Sequence, residues 1–474
     1  MSGGEQAPKV TFRRAMNPRT WGSTFTSLSE PEYAWYFAGN VAFFMGMQMQ
    51  MILRGYLAFD LTGKASSLGI MALAMALPML VMAPFGGMTA DRVNKRTLLI
   101  VTQTVAALAS LLIAFLILAN LIEFWHLVTI SLATGTVFSF NMPARQALVP
   151  SLVPQHKLMN AISLQMGGMN LTRIIAPAGG GLLIAPLGVG AVYLLTFALF
   201  LLAVASEFHL PKHGMKAERK EHVPFKEEFT GGFRYIWQSP TLRLLMVAAL
   251  VMPLFGFPVQ QMLPVFAKDV FTSPGSDGFR LGMLASATGV GGLAGAVISA
   301  NLDNQPHKGR LMLLGGALMG VFILLFAWSP VFILALVFLG AMGVGQMLFQ
   351  ATNNTTIQAG LDPAVRGRVM SVLMMSFGLM PLGVVPVTIA ADHIGAPASI
   401  AVSAGMLLVA LTLMFAFSTR LRNLRMAPMG RTELSPVQAA ALVAQGKLTQ
   451  EEADEMTGEA ERRRSAGGSS AAGG

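Results

Sequence analysis

Long apolar runs recur along the chain, each cut off by a short cluster of charged, proline or glycine residues. Runs able to cross about 30 Å of hydrocarbon as helices fall near 33–58, 67–88, 97–119, 124–142, 158–185 and 189–210. A second set falls near 242–267, 281–300, 311–328, 331–352, 369–391 and 398–418. The pattern predicts an all-α integral membrane protein of twelve transmembrane helices, in two pseudo-symmetric bundles of six. Between the bundles, 33–210 and 241–418, the polar stretch 211–240 reads as a linker; segment 1–32 precedes them and a tail, 419–474, follows.

The halves repeat. A shift of about 210 lays Thr62 on Thr272 and Gln50 on Gln260; a shift of 209 lays Phe140 on Phe349 and Pro177 on Pro386. Chains with parallel repeats place a binding site near the midplane between them and rock one bundle against the other.

Composition agrees with the pattern: 54% of residues are hydrophobic and 12% charged, against about 25% charged in soluble domains. The formal net charge of +10 would admit a nucleic-acid partner, but the positive residues are dispersed over many short loops. With the N-terminus placed in the cytoplasm, 28 of the 33 Lys and Arg fall on that side, and only Lys64, Lys268 and Arg280 outside. Arg54 and Arg173 remain within spans. The positive-inside rule therefore predicts cytoplasmic termini, linker and loop 89–96, and removes nucleic acid as a partner. The first 32 residues hold no short apolar core with a cleavage site, so no removable signal peptide is expected.

Chemistry is sparse. Cysteine is absent, which excludes disulfides and thiolate sites. There is no phosphate-cradling glycine loop and no catalytic constellation, so the chain is expected to be no enzyme, with no cofactor and no metal. Met45, Met47, Met49 and Met51 invite a soft-metal ladder, but alternate residues point to opposite sides of a helix, and lipid contact or adaptable lining fits better.

Polar residues inside spans are the candidate substrate ligands. Asn40, Phe43, Met47, Gln50 and Arg54 share one helical stripe, with Gln50 and Gln260 at matched depth in the two halves. Amides so placed serve equally as a cavity lining or as interhelical glue. Arg54 lies near the outer end of its span and can snorkel. Arg173 lies about 22 Å along the fifth span, too deep to do so. It is expected to face a cavity and an anionic or strongly polar substrate group, unless it ties backbone carbonyls near Pro177.

Gly87, Asp91, Arg92, Asn94, Lys95 and Arg96 resemble the loop between the second and third helices of the major facilitator superfamily, with Asn94 where glycine is usual. Both residues tolerate left-handed backbone. Ala176, Pro177, Gly180 and Gly181 are similar to the antiporter-type motif of the fifth helix, with Ala176 replacing glycine. The stretches PARQALVPSLVPQHKLMNAISL and FDLTGKASSLG resemble the branch of enterobactin and multidrug exporters.

The resemblance implies alternating-access export of small amphipathic molecules, siderophore-like or drug-like, from a bacterial cytoplasmic (inner) membrane. It implies that Gly87, Asp91, Arg92 and Arg96 form a conformational switch, with Arg145 as partner of Asp91. An ion gradient is the expected drive. No Asp or Glu lies near the middle of any span, so protons would run through Asp91, or another coupling ion would serve. Two alternatives share the architecture: a lipid or lysophospholipid flippase, and a non-transporting scaffold acting through its tail. In that tail, Ser435 to Gln438 and Thr449 to Glu452 read as capping boxes of a short helical hairpin suited to a protein contact, before a flexible Gly/Ser end.

Overall fold

Local signals set most of the helix ends. Pro31 occupies the first turn of α1 (Pro31–Thr62), where its missing N–H costs nothing, and Gly63 ends the helix in the left-handed conformation at φ 63°. α2 (Ser66–Arg92) and α3 (Lys95–Leu118) follow, then α4 (Phe124–Leu152). α5 (Leu158–Glu207) is fifty residues long and holds two spans, joined where Gly188 leaves helical geometry at φ 77° and ψ 161°.

The second half begins with α6 (Pro240–Val251) and α7 (Pro258–Val265), joined by a π-turn at Met252–Gly256 and extended by another at Phe266–Val270. Pro253, Pro258 and Pro264 each lack the N–H that a continuous helix needs there. α8 (Asp277–Asn301), α9 (Lys308–Ala327), α10 (Phe332–Ala359), α11 (Pro381–Ile394) and α12 (Ala396–Phe417) complete the set.

The computed structural model describes residues 25–211, 233–271, 276–302, 305, 307–359, 361, 365, 369–370, 372–373, 378–422 and 424, with backbone only at 83, 84, 87, 88, 90–92, 419 and 420. The N-terminal segment before residue 25, most of the linker and the tail motifs lie outside the described residues. Among the described residues there is no strand, and eight helices are long and apolar enough to cross a membrane.

The helices pack as two halves. α1 lies on α5, α2 on α4, and α3 between α4 and α5; α10 packs against α8 and α9, and α12 against α9 and α11. α5 meets α8, and α2 meets α11, across the divide. The large apolar core of the second half reaches over to Phe59, Ala65 and Leu68 of the first.

Candidate functional site: a cleft between the two halves

The end of the molecule bearing Asp60, Lys268 and Asp392 is clamped shut. Lys268 Nζ pairs with Asp60 across the divide at 2.5 Å. Asp392, on α11, accepts the backbone N–H of Ala65 at 2.6 Å and of Ser66 at 3.2 Å, so its charge sits at the positive N-terminus of α2. Below this, α5 and α8 touch backbone to backbone. A Cβ on Gly181 would stand 2.4 Å from the Gly278 carbonyl, and one on Gly282 2.8 Å from that of Pro177. The antiporter-type residues thus build a seam that only glycine permits. The helix runs through Pro177 and changes course at Gly188 instead.

At mid-height the halves part around a cleft of about 90 Å³. Gln48, Met51, Ile52 and Gly55 of α1 line it, with Arg173 and Pro177 of α5, Gln260 and Gln261 of α7, and Thr288 and Gly289 of α8. A neighbouring lobe adds Asn170, Gln346 and Gln350. Arg173 lines both lobes and is exposed, and its side chain makes no hydrogen bond or ion pair among the described residues. Gln260 donates to Gln346 Oε1 at 3.1 Å. Among the described residues the cleft therefore offers a free guanidinium and several amides, and no carboxylate lines it. Among the described residues, the side-chain hydrogen bonds between the halves lie at the clamped end or at mid-height, where Ser286 Oγ donates to Ile174 O at 2.9 Å. The opposite end carries Lys95, Arg96 and Lys157.

The α1 stripe points elsewhere. Gln50 and Arg54 are 2% and 6% exposed, sealed within the first half. Arg54 donates to Gln50 Oε1, to Thr134 Oγ1 at 3.1 Å and to Ser131 Oγ at 3.3 Å, while Gln50 donates to Ser110 at 3.0 Å. Snorkelling of Arg54 is thereby corrected: hydroxyls of α4 and an amide of α1 hold its two terminal nitrogens inside the bundle. Asn40 is buried too and accepts from Arg145 Nη1 at 2.6 Å. Arg145 also donates to Asn141 Oδ1 and lies 4.3 Å over the Phe43 ring. The matched amides Gln50 and Gln260 consequently face different surroundings. Sequence reading missed Gln48 and Gln261, which are offset from the α1 stripe and adjacent to Gln260.

The loop motif is built differently from the left-handed expectation at Asn94. Asn94 has φ −59° and ψ 118°, and its Oδ1 caps α3 by accepting from Arg96 N at 3.0 Å and Thr97 N. Arg96 donates through Nε and Nη2 to the carbonyls of Glu207 and Phe208, both at 2.9 Å, at the negative C-terminus of α5. The backbone of Gly87, Asp91 and Arg92 is helical, but their side chains lie outside the described residues, as does any pairing of Asp91.

A family model described as transmembrane secretion effector matches residues 22–447. The staphyloferrin A transporter of Staphylococcus aureus is 22% identical, over 83% of this chain and 97% of its own. The multidrug efflux pump Tap of Mycolicibacterium fortuitum is 26% identical, over 78% and 92%. The enterobactin exporter EntS of Escherichia coli is 26% identical, over 66% and 70%. Among solved structures, the nucleoside transporter NupG superposes with a TM-score of 0.67 at 14% identity, covering 82% of this chain and all of that one; this likeness bears on the fold.

Proposed function

Because the chain belongs to the transmembrane secretion effector family of the major facilitator superfamily, we propose that it exports amphipathic small molecules bearing an anionic group, by alternating access driven by an ion gradient. It is a multi-pass membrane transporter and not an enzyme. The observation that carries the substrate class is Arg173. A guanidinium at membrane depth costs at least about 2.5–3.5 kcal/mol even on the lowest scales, and such residues normally find a partner within the protein. Among the described residues the side chain of Arg173 has none, and it lines the cleft, where an anion would complete it. The amides around it would hydrogen-bond the polar part of the substrate, while Met51, Ile52 and Leu281 take the apolar part.

The basic end is read as cytoplasmic, in a bacterial inner membrane, because the Lys and Arg excess lies there. On that reading the clamped end faces outside, and the proposed cycle takes up substrate from the cytoplasmic side. Asp91, with Arg96 and Arg145, is read as part of the switch that reverses it. Export by relatives named for siderophores and for drugs supports this direction.

The test is binding of candidate organic anions and their neutral amide analogues to purified protein. Wild type should prefer the anion, and Arg173→Gln should abolish the preference while leaving thermal stability unchanged. Equal binding of both analogues to wild type would remove Arg173 as the anchor.

A further inference from the structure

A second polar site lies away from the cleft, where α1, α3, α4 and the end of α5 meet. Glu207 is fully buried, as are Gln103 and Tyr36, and Asn40, Asn141 and Arg145 are each 1% exposed. Seven buried side-chain atoms among the described residues lack a hydrogen-bond partner, and four belong to this cluster: Asn40 Nδ2, Gln103 Oε1, Arg145 Nη2 and Glu207 Oε2. Buried polar groups are ordinarily satisfied, so such a concentration calls for a cause.

The orphans fall into two sets. Gln103 Nε2 already donates to Glu207 Oε1 at 3.2 Å. The two unpartnered acceptors are the remaining oxygens of these same two groups, an amide and a carboxyl. One proton on Glu207 Oε2 turns that oxygen into a donor for Gln103 Oε1 and closes a cyclic acid–amide pair. The two unpartnered donors, on Asn40 and Arg145, then stay unused. Remove the proton, and a buried carboxylate stands near a guanidinium that has a free N–H.

The cations around Glu207 do not pair with it here. Arg145 on α4 bonds to Asn40 and Asn141, and Arg96 on α3 bonds to the carbonyls of Glu207 and Phe208. Both act on the carboxyl only through space. From α1 the facing titratable group is Tyr36, whose hydroxyl donates to Arg145 O at 2.9 Å. Among the described residues Glu207 forms no ion pair. An ionised carboxylate buried without a paired charge is strongly disfavoured, and the neutral acid fits this arrangement.

We propose that Glu207 is a proton-binding site of this protein, protonated at Oε2 in the arrangement seen here and, when the O–H bond breaks and the proton passes to water, paired with Arg145. Formation of that pair draws Arg145 from Asn40 and Asn141, which changes how α4 sits on α1 and α3. Arg96 links the same carboxyl segment to the loop motif after α2. As a coupling device the site rests on the ion-driven export reading; as a titrating group it stands alone.

The test uses the full-length purified protein without substrate. Infrared spectra across pH should show a protonated-carboxyl band in wild type that disappears on alkalinisation. Glu207→Gln should lack that band at every pH, and Glu207→Asp should keep one. Arg145→Gln removes the cation that favours the carboxylate, so the midpoint should move to higher pH. Because the chain has no cysteine, spin labels at Leu121→Cys and Val331→Cys report the spacing of the halves without background. That spacing should respond to pH several-fold more strongly with Glu207 than with Glu207→Gln. A band unchanged in Glu207→Gln, or a midpoint unmoved in Arg145→Gln, overturns the assignment. A titrating Glu207 in a protein that exports nothing counts against the export reading alone, whereas export with no titrating Glu207 counts against this site alone.

Discussion

In the proposed function a single side chain, Arg173, would give a generic helical bundle a preference for anions. It is exposed in the cleft and, among the described residues, its side chain is unbonded, whereas Arg54 and Arg145 are buried and hydrogen-bonded within the first half. Hydrogen bonds to charged groups are worth about 1.5–3 kcal/mol, so Arg173→Gln should weaken binding of an anionic substrate about ten- to hundredfold, read by titration of purified protein. Arg54→Gln should behave oppositely. It breaks a buried network and should lower the melting temperature, and any change in affinity should be secondary to that loss. Equal effects of the two substitutions on affinity at equal stability would erase the distinction. That Arg173 should lie deep is an expectation the sequence can state, because position along a helix is read directly from it. The direction of the α1 stripe was not legible there: period 3.6 shows that Asn40, Gln50 and Arg54 share a face, but not whether that face meets α3 and α4 or the cleft. Glu207 went unnoticed as a site in the sequence for a similar reason. Its burial comes from Gln103, Arg145 and Tyr36, which are distant in sequence.

At the scale of elements, the seam between α5 and α8 discriminates between neighbouring glycines. A methyl on Gly181 would collide with the Gly278 carbonyl, while one on Gly180 would rest 3.7 Å from Met49. Gly181→Ala should therefore open the clamped end and reduce transport, and Gly180→Ala should be nearly neutral; spin-label distances across that end would report both. Asp392→Asn removes the charge at the α2 N-terminus, worth about 0.3–1 kcal/mol, and should shift the population toward the state open at that end by about two- to fivefold. Asp91→Asn should cut transport strongly with membrane insertion intact, if Asp91 is part of the switch. The antiporter-type motif announced this seam through its glycines. Asn94 was misread in detail because asparagine suits left-handed turns and helix caps alike, and the choice between them depends on whether the next residue starts a helix.

The whole molecule follows the hydropathy pattern closely, since a chain in lipid must satisfy its backbone internally and so forms long helices. Where two spans merge, at Gly188, or one breaks into pieces, from Pro240 to Val270, prolines and glycines decide the local course. The orientation rests on charge and carries its own check: reporters fused after Gly214 and Asp277 should locate to opposite sides of the membrane, and a shared side would break the twelve-span reading. The central claim, outward transport of amphipathic anions through the Arg173 cleft, meets its most direct test in an unbiased metabolite comparison. Cells expressing wild-type protein, Arg173→Gln or no protein would be profiled for small molecules inside and in the medium. The account predicts a set of amphipathic anions depleted inside and enriched outside only with the wild type. Identical profiles in all three, or export confined to neutral molecules or membrane lipids and indifferent to Arg173→Gln, would contradict it.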